Sequence, residues 1–153
     1  MDVGNLLHQN FTDLDINESK AEIVQNRTFD AIKAEKRFMT AADFPNYDVV
    51  FSCVDSMTFR KDLYNYGWAH PELYWIDGRC SSRNIGLFNS KCTKKNLLST
   101  LSESTERRGC LLQMDKEKKT AHITPVIVAS MMAQSFLNHI RGEDTPDQIM
   151  LYI

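Results

Sequence analysis

The apolar positions of this chain gather into a few short runs. The densest is Tyr47 to Asp55, YDVVFSCVD, where Val49, Val50, Phe51, Cys53 and Val54 are almost continuous. A run this short, rich in β-branched and aromatic residues, predicts a strand buried on both faces, the kind found inside parallel sheets. Cys53 is then a small core residue. A helix is expected from Ser56, capped by Asp55 or Ser56 and ended by Gly67. Asp55 stands where the apolar run stops. Ligands of open α/β sheets bind beyond the carboxyl ends of the strands, so Asp55 reads either as a helix cap or as a site residue.

The other runs are weaker. Residues 1–14 show no clear period. A helix is expected from Asp15 to about Ala31, capped by Asp15 or Asn17, with Ala21, Ile23, Val24, Thr28 and Ala31 on its apolar side. Ile32 to Met39 alternates loosely and predicts an edge strand. Thr40 to Asn46 holds a short turn or helix ending at Pro45. Leu73 to Asp77 (LYWID) is a second apolar strand ending in an acid, and Ile85, Leu87 and Phe88 suggest another. Lys91 to Arg108 is polar, with a helical turn over Asn96 to Leu101. Gly109 to Met114 and Thr120 to Ile123 read as short strands or a loop crossing the sheet.

Thr124 to Arg141 is the clearest helix. Thr124 caps it, Pro125 suits its first turn and Gly142 follows its end. Ala129, Met132, Ala133, Phe136, Leu137 and Ile140 recur at helical spacing as its core face. Met131 and Met132 are packing residues, and His139 is a surface residue favoured by the helix dipole. Ile149 to Ile153 is a last strand. The alternation of helices and strands fits an α/β sheet of the Rossmann-like kind, mostly parallel, with helices on both faces. Its first β-α-β part is missing from that pattern. A single, incomplete domain over all 153 residues is the expectation.

The net charge of −2 carries no basic excess of the kind a nucleic-acid surface needs. No stretch reaches the roughly 18 apolar residues of a membrane span, and the start of the chain has no secretory signal pattern. A cytoplasmic protein with neither nucleic acid nor membrane as partner is the expectation. Cys53, Cys80, Cys92 and Cys110 form no CxxC pair, and no His completes a zinc spacing, so free thiols are expected and no structural zinc. None of the six glycines forms a GxG, so neither common glycine-rich phosphate loop is present.

Three segments read together resemble one family, the ThiF/MoeB-type, E1-like adenylyltransferases. NLLHQNFTDLDINESKAE (Asn5 to Glu22) is similar to that family's N-L-x-R-Q-x-F followed by D-I-G-x-x-K-A. DVVFSCVDSMTFRKDL (Asp48 to Leu63) is similar to its strand ending in D-N before an x-x-x-R helix. IDGR (Ile76 to Arg79), the later GC and TPVIVASMMAQSFLNHIRGE resemble its D-G-R-M subgroup. The resemblance spans nearly the whole chain.

It implies binding of ATP with Mg²⁺ and adenylation of the C-terminal glycine carboxylate of a ubiquitin-like or sulfur-carrier protein. By position, Asn5 and Gln9 match residues on the phosphate side, Lys20 matches a lysine that contacts the phosphates, and Asp55 matches the acid at the metal and reaction centre. His8 stands where the family has a nucleotide-reaching arginine, and a mostly neutral imidazole does not replace a guanidinium on phosphate. Ser56 replaces an asparagine, and Cys80 replaces the methionine of D-G-R-M. The family's first strand, its G-x-G-G-x-G loop and its ribose-binding acid have no counterpart in these 153 residues. Cys110, beside Arg107 and Arg108, lies with Cys92 near the region where some members carry a reactive cysteine; neighbouring guanidiniums favour a thiolate.

Three readings follow. The chain is an E1-like adenylyltransferase or the larger part of one, a homodimer or heterodimer as family members are. Alternatively it is an inactive binding or scaffold subunit paired with a complete partner. The third reading is a nicotinamide dinucleotide-binding domain, which needs the same absent loop.

Overall fold

The computed structural model describes residues 11–29, 31–81, 83–101 and 123–153. The described residues belong to two units, one between Phe11 and Met39 and one between Thr40 and Ile153.

In the first unit a single 3₁₀ turn, Asp13–Asp15, precedes helix α1 (Lys20–Arg27). The helix is shorter than the pattern suggests and its cap is Ser19, not Asp15 or Asn17. Asn17 adopts a left-handed φ of 71° and ends the first turn before a helix can start. Asp15 serves elsewhere, accepting from Thr12 N and from Arg27 at 2.6 Å. That backbone hydrogen bond from Thr12, more than Arg27, holds its carboxyl below the usual range. Of the expected apolar side only Ile23 is buried. The edge strand expected over Ile32 to Met39 does not form. Lys33 and Arg37 both pair with Glu35 and Phe38 is 83% exposed, so the loose alternation buries no face.

The second unit is built on a four-stranded sheet in the order β1-β2-β3-β4. Its strands are β1 (Val49–Ser52), β2 (Tyr74–Ser81), β3 (Asn84–Asn89) and β4 (Gln148–Tyr152). β1 and β2 are parallel, with Ser52 beside Asp77. β2 with β3 and β3 with β4 are antiparallel. The fold is α/β, but the sheet is mixed rather than mostly parallel. The turn after Ser81 reverses the chain directly, so β3 needs no helical crossover.

Helix α2 (Met57–Ala69) makes the one parallel crossover. Ser56 caps it, its hydroxyl accepting from Phe59 N at 3.2 Å. Gly67 does not end the helix. It lies inside, against the Trp75 indole, where a Cβ would overlap the ring. Helix α3 (Lys94–Ser99) is capped by Thr93. Helix α4 (Thr124–Arg141) runs the length expected, with Gly142 left-handed at φ 67° beyond its end. Its cap position is Ile123, and Thr124 is instead its first residue, buried.

α2 and α4 cover opposite faces of the sheet. Tyr74, Ile76, Ile85, Leu87, Val128 and Met132 form the apolar core under α4. Gly78 lets this helix come close, since a Cβ there would collide with Met132 Sδ. Trp75 and Asp77 point the other way, to Tyr64 on α2.

Two expectations about burial fail. The apolar run of β1 was expected to be enclosed, yet β1 is the terminal strand, with Phe51 45% exposed and Cys53 exposed. The covered positions of α4 are Thr124, Val128, Met132 and Ser135, whereas Ala129, Ala133, Leu137 and Ile140 are exposed. Among the described residues the sheet stops at β1; α4 rests on β2 and β3, and Ala133 and Leu137 lie on the side of the helix away from Val128 and Met132.

Candidate functional site

Asp55 is exposed, three residues beyond the last residue of β1 and directly before the Ser56 cap of α2. The position follows from the sequence: the apolar run ends, a carboxylate follows, and a serine starts the helix. α2 offers its positive end here, which favours an anion near its first turn. One exposed carboxylate beside such an end is a suitable oxygen donor for Mg²⁺, an ion that takes one or two carboxylates and completes its shell with phosphate and water. Among the described residues no cluster of three or more acids, histidines or cysteines could hold a metal without such help.

Lys20 opens α1 in the first unit and is exposed, its Nζ 6.0 Å from the Phe11 ring centroid. A cleft of about 720 Å³ beside α1 is lined by Asp15, Glu18 and Glu22 against Arg27 and Lys36, an acidic balance. Ser56 is committed as the α2 cap. Asn5, His8, Gln9 and Cys110 lie outside the described residues, as do the short strands expected over Gly109 to Met114 and Thr120 to Ile123, save Ile123, which is the cap position of α4.

Cys53 is exposed, Cys80 half-buried and Cys92 buried. Cys53 Sγ rests 3.8 Å from Met132 Sδ. Cys92 is 3% exposed, and burial first, then the Asp147 charge, push its thiol above the ordinary range. It is held as a thiol, the form that does not attack.

A buried charge cluster beneath α2 was not among the expected site residues. Asp77 is fully buried in β2. Its carboxylate accepts from Arg60 Nε at 3.0 Å, Arg79 Nε at 2.6 Å and the Tyr64 hydroxyl. Arg60 and Tyr64 come from consecutive turns of α2, at i and i+4. Arg79 shares a face with Asp77 two residues along the strand. It also donates to Tyr64, to Thr100 O at 3.1 Å and to Thr100 Oγ1 at 3.0 Å, and lies 4.4 Å from the Phe88 ring centroid. Burial works against the Arg79 charge, but Asp77 and Tyr64 outweigh it and raise its pKa. Burial and the Asp77 charge push the Tyr64 hydroxyl far above its ordinary value.

The signal that could have found this cluster was Asp77 inside an apolar run, with Arg79 two places on. β2 continues through Asp77, Gly78 and Arg79, so the acid is mid-strand and not at a strand end. Its neighbours occupy every oxygen, so it is a brace and offers no open site. By fixing the first two turns of α2 to β2 it also fixes the turn that carries Asp55. Arg60 and Asp77 are thus positioning residues for that turn.

The chain matches no protein-family model, and no curated protein matches it.

Proposed function

We propose that the chain is an E1-like adenylyltransferase, or the larger part of one, that uses ATP and Mg²⁺ to adenylate the C-terminal glycine carboxylate of a ubiquitin-like or sulfur-carrier protein. The observation that carries this reading is Asp55, exposed at the carboxyl end of β1 ahead of the capped α2. The resemblance of three ordered segments supports it.

In this reaction the carrier's terminal carboxylate oxygen attacks the α-phosphorus, a new P–O bond forms and pyrophosphate leaves. The chemistry asks for positioning and charge neutralisation more than for a covalent catalyst. Asp55 would hold Mg²⁺ through oxygen, and the metal would neutralise charge on the phosphates. Lys20 would offset the charge that develops on the leaving pyrophosphate. The backbone donors of a glycine-rich loop would have to come from another part of the assembly.

The acidic cleft beside α1 favours the second reading, a scaffold subunit that docks a carrier or a complete partner without binding nucleotide. Three carboxylates against two cations repel a triphosphate. Calorimetric titration with ATP and Mg²⁺ separates the two. The catalytic reading expects micromolar binding that falls at least tenfold in Lys20→Ala and in Asp55→Ala, with both variants folded by circular dichroism. A folded wild-type chain that binds no ATP removes the independent enzyme. Capture of a carrier bearing a C-terminal glycine by that same chain would then support the scaffold.

A further inference from the structure

We infer that Cys53, Cys80 and Met132 form a binding site for a soft monovalent cation, copper in its Cu(I) state, on the α4 face of the sheet.

The sheet register gathers the three sulfur side chains around Gly78. Ser52 pairs with Asp77, so Cys53, the next residue, emerges beside Gly78. Cys80 lies two residues further along β2 and therefore on the same face as Gly78. There it packs against the core that contains Met132. Gly78 has no side chain, and Met132 Sδ fills the space a Cβ would take. The end of β1, the middle of β2 and α4 thus each bring one sulfur residue to one small region.

The spacing suits a metal ion. Cys53 Sγ is 3.8 Å from Met132 Sδ. Two sulfurs that far apart, each about 2.3 Å from a shared ion, subtend an angle of about 110° at it, close to the tetrahedral and trigonal values. A χ1 rotation of Cys80 toward Gly78 supplies the third donor.

The donor set selects the ion. Thiolate and thioether are soft ligands, and together they favour Cu(I) over hard cations. Zn²⁺ asks for four donors from thiolate, imidazole and carboxylate. Among the described residues no group of three such side chains meets. Packing accounts for a buried methionine. It does not ask for two cysteines around the same glycine, one of them exposed. Met132 is 3% exposed and Cys80 half-buried, so the ion enters past the exposed Cys53. Binding is an exchange without electron transfer: two S–H bonds give way to two Cu–S bonds, and two protons leave for solvent. The bound ion ties α4 to β1 and β2, on the face opposite the Asp77 cluster. This inference is independent of the adenylyltransferase reading.

Anaerobic titration of the full, reduced chain with Cu(I) held by bicinchoninate tests it. One Cu(I) per chain is expected to leave the chelator. Cys53→Ser and Cys80→Ser should each weaken binding at least a hundredfold. Met132→Leu keeps the volume and should weaken it at least tenfold. Cys92→Ser and Cys110→Ser should change nothing. X-ray absorption of the loaded wild-type chain should show three sulfur neighbours around copper. A chain that takes no Cu(I) from the chelator overturns the inference. So does binding that survives Cys53→Ser or Cys80→Ser, that ignores Met132→Leu, or that requires Cys110. The wild-type sulfur count decides the matter even where a variant fails to fold, and two or fewer sulfurs there overturn it as well.

Discussion

The two faces of the sheet are held by different physics. Toward α4, Tyr74, Ile76, Ile85, Leu87, Val128 and Met132 pack as an apolar layer. Toward α2, β2 presents Trp75, Asp77 and Arg79, and the helix answers with Tyr64 and Arg60. An apolar layer tolerates small shifts, because dispersion and water exclusion have little direction. A buried carboxylate with three donors does not, since each partner must stay in place or leave a charge uncompensated. The α2 face thus sets the position of that helix, whereas the α4 face contributes burial with looser geometry. The turn carrying Asp55 belongs to the precisely held side.

The largest test of this contrast is Asp77→Asn. It leaves Arg60 and Arg79 buried without their counter-charge and should cost about 3–5 kcal/mol in urea unfolding. A loss below about 1 kcal/mol would mean the cluster is hydrated and the contrast false. On the other face Met132→Ala should cost less, about 2 kcal/mol. It sits at the low end for such a change because the open flank of α4 lets the helix settle into the gap. Both variants can be compared in one denaturation series.

A smaller effect comes from pH. The Tyr64 hydroxyl keeps its proton in the folded chain, while in the unfolded chain it titrates near the ordinary tyrosine value of about 10. Above that value the folded state binds more protons than the unfolded state, so stability declines as pH rises. The slope approaches about 1.4 kcal/mol per pH unit for this group. Unfolding curves at pH 8 to 11 should show that decline, and Tyr64→Phe should remove its share. A slope unchanged in Tyr64→Phe would refute the assignment.

The sequence made some of this legible and hid the rest for definite reasons. α4 could be bounded because Pro125, Gly142 and an apolar stripe all speak locally. The Asp55–Ser56 turn could be found because a strand pattern changes there to a helix start. Asp77 looks like the end of a strand because a charge normally stops an apolar run; two of its three donors lie 13 and 17 residues earlier, beyond any local pattern. Ile32 to Met39 misled because Lys33, Glu35 and Arg37 alternate by pairing with one another in solvent. The edge position of β1 is invisible in its composition. YDVVFSCVD describes a strand with neighbours on both sides, and only the sheet order reveals that one neighbour is absent among the described residues. The core face of α4 is rotated from the apolar stripe because Thr124 and Ser135, which no apolar pattern marks, are buried there.

The strand order also fixes a sequence of events in folding. β2 and β3 are joined by a tight reversal and can zip together within microseconds. β4 must reach β3 across all the chain from Asn89 to Gln148, so it pays a loop-closure entropy that the hairpin avoids. Until it arrives, the far side of β3 is a bare ladder open to any passing strand. Pulsed hydrogen exchange during refolding should therefore protect the amides of β2 before those of β4. The vulnerable moment of this molecule is the wait for its last strand, when it is most exposed to aggregation.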